Sequence, residues 1–150
     1  MLLFIGRYDH TIDQKGRLAV PSRWREMLLG LHEDRLVLTK HRDKDNRCLH
    51  IYPLSSWEEL YRKFDVQPPL DPRMAALRRA YLSHGQECPI DPQGRILLPP
   101  HLRAYAGLER EVKFVGEGRL ASLWDRKACE HQDETDEGVF DDAPLLASLK

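Results

Sequence analysis

The sequence predicts a β-rich α+β fold built from two pseudo-symmetric halves, and three observations carry that prediction. First, a nine-residue pattern occurs twice: Asp13-Gln14-Lys15-Gly16-Arg17-Leu18-Ala19-Val20-Pro21 and Asp91-Pro92-Gln93-Gly94-Arg95-Ile96-Leu97-Leu98-Pro99. Asp, Gly, Arg and Pro recur at one offset of 78 residues, as do Ile12 with Ile90 and Arg25 with Arg103. Second, apolar residues alternate with polar ones beside the repeated turn, the period of a strand with one buried face. Third, prolines and apolar stripes of helical period mark short helices between the strands. Two copies are too few for a solenoid, but they suit a pseudo-dimer in which one half packs on its twin.

The N-terminal run, residues 1–7, is briefly apolar and reads as a first strand; it lacks the basic start and the length of a signal peptide. Tyr8, His10 and Ile12 alternate up to the first turn, and Leu18 and Val20 alternate after it. Each repeat therefore reads as strand, tight turn, strand and helix start. Gly16 and Gly94 supply the positive φ that a tight reversal requires, while Asp13 and Asp91 accept hydrogen bonds from turn N–H groups. Pro21 and Pro99 suit helix starts, so residues 22–28 and 100–106 are predicted helices, the second ending near Gly107. Residues 36–39 and 48–52 read as strands around a polar loop, residues 40–47, with four Lys/Arg and two Asp. Pro53 opens a helix with Ser55 or Ser56 near its cap, and Trp57, Leu60, Tyr61 and Phe64 share one apolar face.

Three prolines within residues 66–72 separate the halves. A second amphipathic helix follows, with Met74, Leu77 and Tyr81 on one side and Arg73, Arg78 and Arg79 outside. In the second half, strands at residues 112–115 and 120–124 flank Gly116-Glu117-Gly118-Arg119. That segment lacks the third glycine of a dinucleotide site and the lysine of a nucleotide loop, so it reads as a hairpin turn. Beyond Gln132 the chain is acidic and aperiodic, and much of it is expected to be mobile, with Leu145, Leu146 and Leu149 forming a short docking turn.

With 150 residues, 41% of them hydrophobic, the chain can fill one core. No apolar run approaches the roughly 20 residues that span a bilayer, so a cytoplasmic location is expected. Cys48, Cys88 and Cys129 form no C-x-x-C pair, and His84 and Cys88 read as ordinary residues, so no metal or cofactor is expected. The sequence offers no nucleophile–base–orienter set and no phosphate loop, which argues against an enzyme with a small-molecule substrate. The net charge of −1 conceals a segregation: residues 130–150 carry −6, leaving +5 on the rest. Residues 1–25 alone carry +3, centred on the first turn. Positive charge beside a rigid turn is what phosphate contact requires.

The motifs Asp13-x-Lys15-Gly16-Arg17-x-x-x-Pro21, Leu49-x-Ile51-Tyr52-Pro53-x-x-x-Trp57 and Gly85-x-x-Cys88-x-x-Asp91-x-x-Gly94-Arg95 are followed by Ala106-Gly107-Leu108 and Leu123-Trp124-Asp125. Together, over nearly the whole chain, they resemble the MraZ family of bacterial transcriptional regulators, whose halves are related to the AbrB and SpoVT swapped-hairpin DNA-binding domains. The resemblance implies two β-β-α-β-β swapped-hairpin halves forming one intertwined domain with additional helices. It implies sequence-specific binding of double-stranded DNA at repeated elements upstream of the cell-division and cell-wall gene cluster, in the nucleoid. It also implies a homo-oligomer, a ring presenting its basic hairpins, with the helices from residue 53 to about residue 82 as subunit contacts. The corresponding segments are a first repeat at 1–65, a linker and helix at 66–84, a second repeat at 85–130 and an acidic flexible tail at 131–150.

The two copies differ in charge. Lys15 is replaced by Gln93 and Arg23 by His101, and residues 85–105 are neutral overall. A division of labour is expected, in which the first copy contacts DNA and the second mainly completes the fold. The candidate DNA-binding residues are Lys15, Arg17, Arg23, Arg25, Arg95 and Arg103. Arg17 is assigned to base or phosphate, and Lys15, Arg23 and Arg25 to phosphate. Asp13, Gly16, Asp91 and Gly94 are structural turn residues. One such hairpin set is a small interface, so useful affinity requires several sites engaged at once on repeated DNA. The competing expectation is a ring-forming protein-interaction module without direct DNA binding.

Overall fold

A computed structural model describes residues 2–150. The first half holds β1 (Arg7–Thr11), β2 (Arg17–Ala19), α1 (Ser22–Gly30), β3 (Arg35–Asp43) and β4 (Asn46–Pro53). Helices α2 (Leu54–Asp65) and α3 (Pro72–Ala80) lead to the second half. That half repeats the plan with β5 (Gln86–Pro89), β6 (Arg95–Leu97), α4 (Pro100–Tyr105), β7 (Glu111–Gly116) and β8 (Ala121–Asp125). Helix α5 (Arg126–Asp136) and the short α6 (Ala143–Ala147) follow.

Six strands form one antiparallel sheet in the order β1-β7-β8-β4-β3-β5, and β2 and β6 form a separate two-stranded ribbon. Exchanging the halves reverses the six-strand order onto itself, which is the pseudo-twofold that the repeat predicts. The first strand of each half pairs with the third strand of the other: β1 with β7, and β5 with β3. The halves are therefore intertwined, in the duplicated AbrB-like manner. The simple hairpin expectation is corrected at this point, because the strands on either side of each repeated turn are not ladder partners. The turn closes with Asp13 N–H donating to Arg17 O at 3.0 Å. Beyond it the backbone of Arg17–Ala19 is committed to Arg95–Leu97.

Leu18 and Ile96 face each other in the ribbon and point into the core, at 0% and 1% exposure. Trp24 of α1 meets Phe4, Tyr8 and Phe114 edge-on, at centroid distances of 5.0, 5.5 and 5.5 Å. Its Nε1–H donates to Ile5 O at 3.0 Å, so the buried indole leaves no polar atom unpaired. Truncating such a residue to alanine costs about 3–5 kcal/mol.

Several local expectations change. Met1 lies outside the described residues, and residues 2–6 are not a strand; they contribute one bridge, Phe4 to Gly118. Gly6, at φ +96°, turns the chain there, and β1 starts at Arg7. The polar loop at 40–47 is almost entirely strand, reversing through Lys44 and Asp45, with Lys44 at φ +55°. Two of its cations are engaged: the Lys40 ammonium and the Arg47 guanidinium both stand over the Tyr105 ring, 4.7 and 4.9 Å from its centroid. On α2 only Phe64 is buried, while Tyr61 is 53% exposed. Arg78 turns inward, donating to Phe64 O at 3.0 Å and holding α3 to α2.

The chain after Gln132 is also more regular than its sequence suggests. Asp125 caps α5 by accepting from Ala128 N–H at 3.2 Å. Cys129 packs with Cys48 and Trp124 on the sheet. Arg7 grips Asp133 through both terminal nitrogens, at 2.8 and 2.7 Å. Gln132 donates to Asp43 and Asp136 and accepts from Asn46. The contacts to Arg7, Asp43 and Asn46 are long-range in sequence, which is why no local period announced the helix. Among the described residues no helix is long and apolar enough to cross a membrane.

Candidate nucleic-acid interface

The two repeated turns have almost the same geometry. Asp13 Oδ1 accepts from the N–H groups of Lys15 and Arg17 at 2.9 and 2.8 Å, and its Oδ2 accepts from Arg17 Nε at 2.8 Å. Asp91 Oδ1 accepts from Gln93 and Arg95 N–H, both at 2.9 Å, and its Oδ2 accepts from Arg95 Nε at 3.1 Å. Gly16 and Gly94 sit at φ +81° and +80°, a conformation that costs other residues steric strain. The backbone N–H groups of Arg17 and Arg95, followed by their guanidinium groups, hold the two carboxyls below the ordinary carboxylate range. Each aspartate therefore stays ionised and clamps its arginine by Nε. Among the described residues the terminal amino groups of Arg17 and Arg95 make no hydrogen bond, so each guanidinium keeps a two-pronged donor edge for a ligand.

The ribbon sets these two edges side by side. Its register pairs Arg17 with Leu97, Leu18 with Ile96 and Ala19 with Arg95. The pairing is extended reciprocally: Val20 N–H donates to Gly94 O at 2.9 Å, and Leu98 N–H donates to Gly16 O at 3.0 Å. Because side chains alternate across a strand, Leu18 and Ile96 go inward while Arg17, Ala19, Arg95 and Leu97 share the outer face. Arg17 and Arg95 are diagonal neighbours, with Cα atoms on the order of 8 Å apart. Leu97, 62% exposed, belongs to this face and was missed in the sequence. Its signal was present in the in–out alternation of Arg95, Ile96 and Leu97.

The other candidates divide into two groups. Lys15 and Arg23 are exposed. Arg25 and Arg103 are half-buried and reach across the pseudo-twofold. The Arg25 guanidinium lies so close over Gly94 that a Cβ there would collide with it, and Arg103 lies over Gly16. Arg103 also donates to the carbonyls of Leu108, at 2.9 Å, and Glu109. Each helix arginine thus braces the turn of the opposite half, a role the sequence offset between them does not disclose. Together the ribbon and its braces form a surface with two guanidinium donors on one face and Lys15 at one end. Such a surface can bind a polyanion.

Comparison with known proteins bears on this surface. A family model described as "MraZ protein, putative antitoxin-like" matches residues 3–79 and 81–143. The chain is 41% identical to the transcriptional regulator MraZ of Halorhodospira halophila, over 99% of this chain and 97% of that protein. It is 44% identical to the transcriptional regulator MraZ of Thioalkalivibrio sulfidiphilus, over 82% of this chain and 80% of that protein. The protein of the same name from Thermomicrobium roseum is 46% identical over 81% of each. The repeated Asp–Gly–Arg turns, the exchange of strands between halves and these matches lead to one assignment: the chain belongs to the MraZ family.

Proposed function

We propose that this protein is a transcriptional regulator that binds double-stranded DNA through the outer face of the β2–β6 ribbon. The observation that carries the reading is the pair of aspartate-clamped arginines, Arg17 and Arg95, on one face of one ribbon. A two-stranded ribbon fits the major groove, and a guanidinium edge matches the two acceptors of guanine or a phosphate. Lys15 and Arg23 add phosphate contacts on the first half. Arg25 and Arg103 act mainly by holding the turns, and Leu97 offers apolar contact to a thymine methyl. With Gln93 where the first turn has Lys15, Arg17 matters more than Arg95 for affinity. The curated relatives are named transcriptional regulators, which supports the same role here.

One ribbon offers few contacts, so the regulator acts as an oligomer on repeated elements, gaining affinity by avidity. The ring implied by family resemblance, and control of the cell-division and cell-wall gene cluster, belong to this proposal. The exposed apolar residues Tyr61 and Leu77 on α2 and α3 support subunit contact there. The test is binding of the DNA upstream of the protein's own gene, against a scrambled duplex, by wild type and Arg17→Ala. Preference for the native duplex, lost in Arg17→Ala, is expected. A folded oligomer that binds neither duplex would leave the protein-interaction reading in its place.

A further inference from the structure

A groove of about 600 Å³ opens between α2, the N-terminal segment and the tip of the β7–β8 hairpin. Leu3, Leu60 and Leu120 give it apolar surface, and Arg62, Lys63 and Arg119 outweigh Glu59 in charge. Among the described residues none of these three cations forms an ion pair. None of its lining residues belongs to the repeated turns or to the β2–β6 ribbon, and the proposed DNA-binding face does not use it.

A complementary surface lies on the same chain. After α5 the backbone makes a 3-10 turn, Glu137–Asp141, and then α6. Phe140, Leu146 and Leu149 are 74%, 54% and 79% exposed. Glu137, Asp141 and Asp142 stand among them, also outside every ion pair of the described residues. Apolar side chains interleaved with acids match a groove of leucines rimmed by Arg and Lys, in shape class and in sign of charge. The segment is seated away from its own groove. Val139 and Phe140 lie beside Arg7 and Asp133, and no residue lining that site lines the α2 groove.

From this complementarity we infer that residues 139–149 of one copy dock in the α2 groove of a second copy. The contact is head-to-tail: every copy carries one groove and one segment, and such a heterologous contact closes into a ring when the rotation permits. Burial of Phe140, Leu145 and Leu146 supplies the attraction, and Asp141 and Asp142 against Arg62 and Lys63 fix the direction. The inference rests on the oligomeric part of the proposed function and is independent of DNA binding.

The test uses the full chain and four exposed charges whose reversal leaves the core untouched. Arg62→Glu/Lys63→Glu alters the groove, and Asp141→Lys/Asp142→Lys alters the segment. Average mass is read by analytical ultracentrifugation, with circular dichroism as the folding check. Each double reversal alone is expected to lower the mass of the assembly. Mixing the two variant chains is expected to restore it, because each altered groove then meets an altered segment and each native groove a native one. Unchanged mass in the segment variant would overturn the inference while leaving another subunit contact standing. Restoration only when both reversals share one chain would also overturn it, in favour of a segment docking on its own groove. A monomeric wild type would overturn both this contact and the oligomeric part of the proposed function.

Discussion

The two turn glycines have the same φ but different surroundings, and a matched pair of substitutions exploits the difference. At Gly16 an added Cβ meets Arg103 and Leu97 at 3.7 Å, ordinary contact. Gly16→Ala therefore bears only the left-handed backbone cost, about 1–2 kcal/mol. At Gly94 the same Cβ would overlap the Arg25 guanidinium. Gly94→Ala adds the displacement of that brace, about 1 kcal/mol or more. For a domain of this size each kcal/mol lowers Tm by roughly 2–4 °C. Gly16→Ala should thus lose about 2–8 °C, and Gly94→Ala about 4–12 °C. Calorimetry at fixed protein concentration, with urea titration as a second measure, reads both values. A Gly94→Ala/Arg25→Ala double variant should fall short of the sum of its singles, since removing the arginine removes the overlap. Equal losses at the two glycines, or full additivity in the double variant, would refute the idea that Arg25 packs tightly over the Gly94 turn and braces it.

Other outcomes follow from the same geometry. Arg17→Lys keeps the charge but loses the two-pronged edge, so affinity for the specific duplex should fall by about 1–3 kcal/mol while non-specific binding changes little. His50 stacks on His41 at 3.9 Å and lies 2.6 Å from Tyr81 Oη; burial, then the neighbouring His41, pushes its pKa down to about 3. The unfolded chain takes up this proton near pH 6.5 and the folded one does not, so stability should decline on acidification below 6.5, by about 1.4 kcal/mol per pH unit. An NMR titration showing His50 with a midpoint near 6.5 would contradict this. Asp13 and Asp91, held below 3.8, stabilise the fold above that pH and lose the effect as pH falls through their folded values. Asp13→Asn/Asp91→Asn should therefore be less stable at neutral pH and show a flatter decline in acid unfolding below pH 4.

The local chemistry of the site was legible in the sequence. Asp, Gly and Arg at fixed spacing specify a turn whose carboxylate binds the following N–H groups, and both turns have that form. The alternation of Leu18 and Val20 identified the inward side of the first copy's ribbon strand, where both are buried. The pairing between halves was not legible in residue periods, because the same alternation serves β1 beside β2 or β1 beside β7. Only family resemblance implied the exchange. Arg25 and Arg103 are DNA-binding candidates by their shared offset, but an offset shows symmetry and not that each side chain lies over the turn of the opposite half. The helix at 126–136 was hidden for a related reason. Arg7–Asp133 and Asn46–Gln132 join residues far apart in the chain, and those contacts override a composition that looks disordered.

The most direct test of the ribbon as a DNA-binding surface is the salt dependence of binding to the upstream duplex. Fluorescence anisotropy would compare wild type with Arg17→Ala/Arg95→Ala, both verified as folded oligomers, over a range of salt concentrations. Each phosphate contact contributes a slope of about −0.9 to log K against log[salt]. A ribbon that grips DNA gives steep salt dependence in wild type, and weaker binding with a shallower slope in the double variant. Equal affinity and equal slope in the two proteins would contradict it and move the DNA contact elsewhere on the molecule.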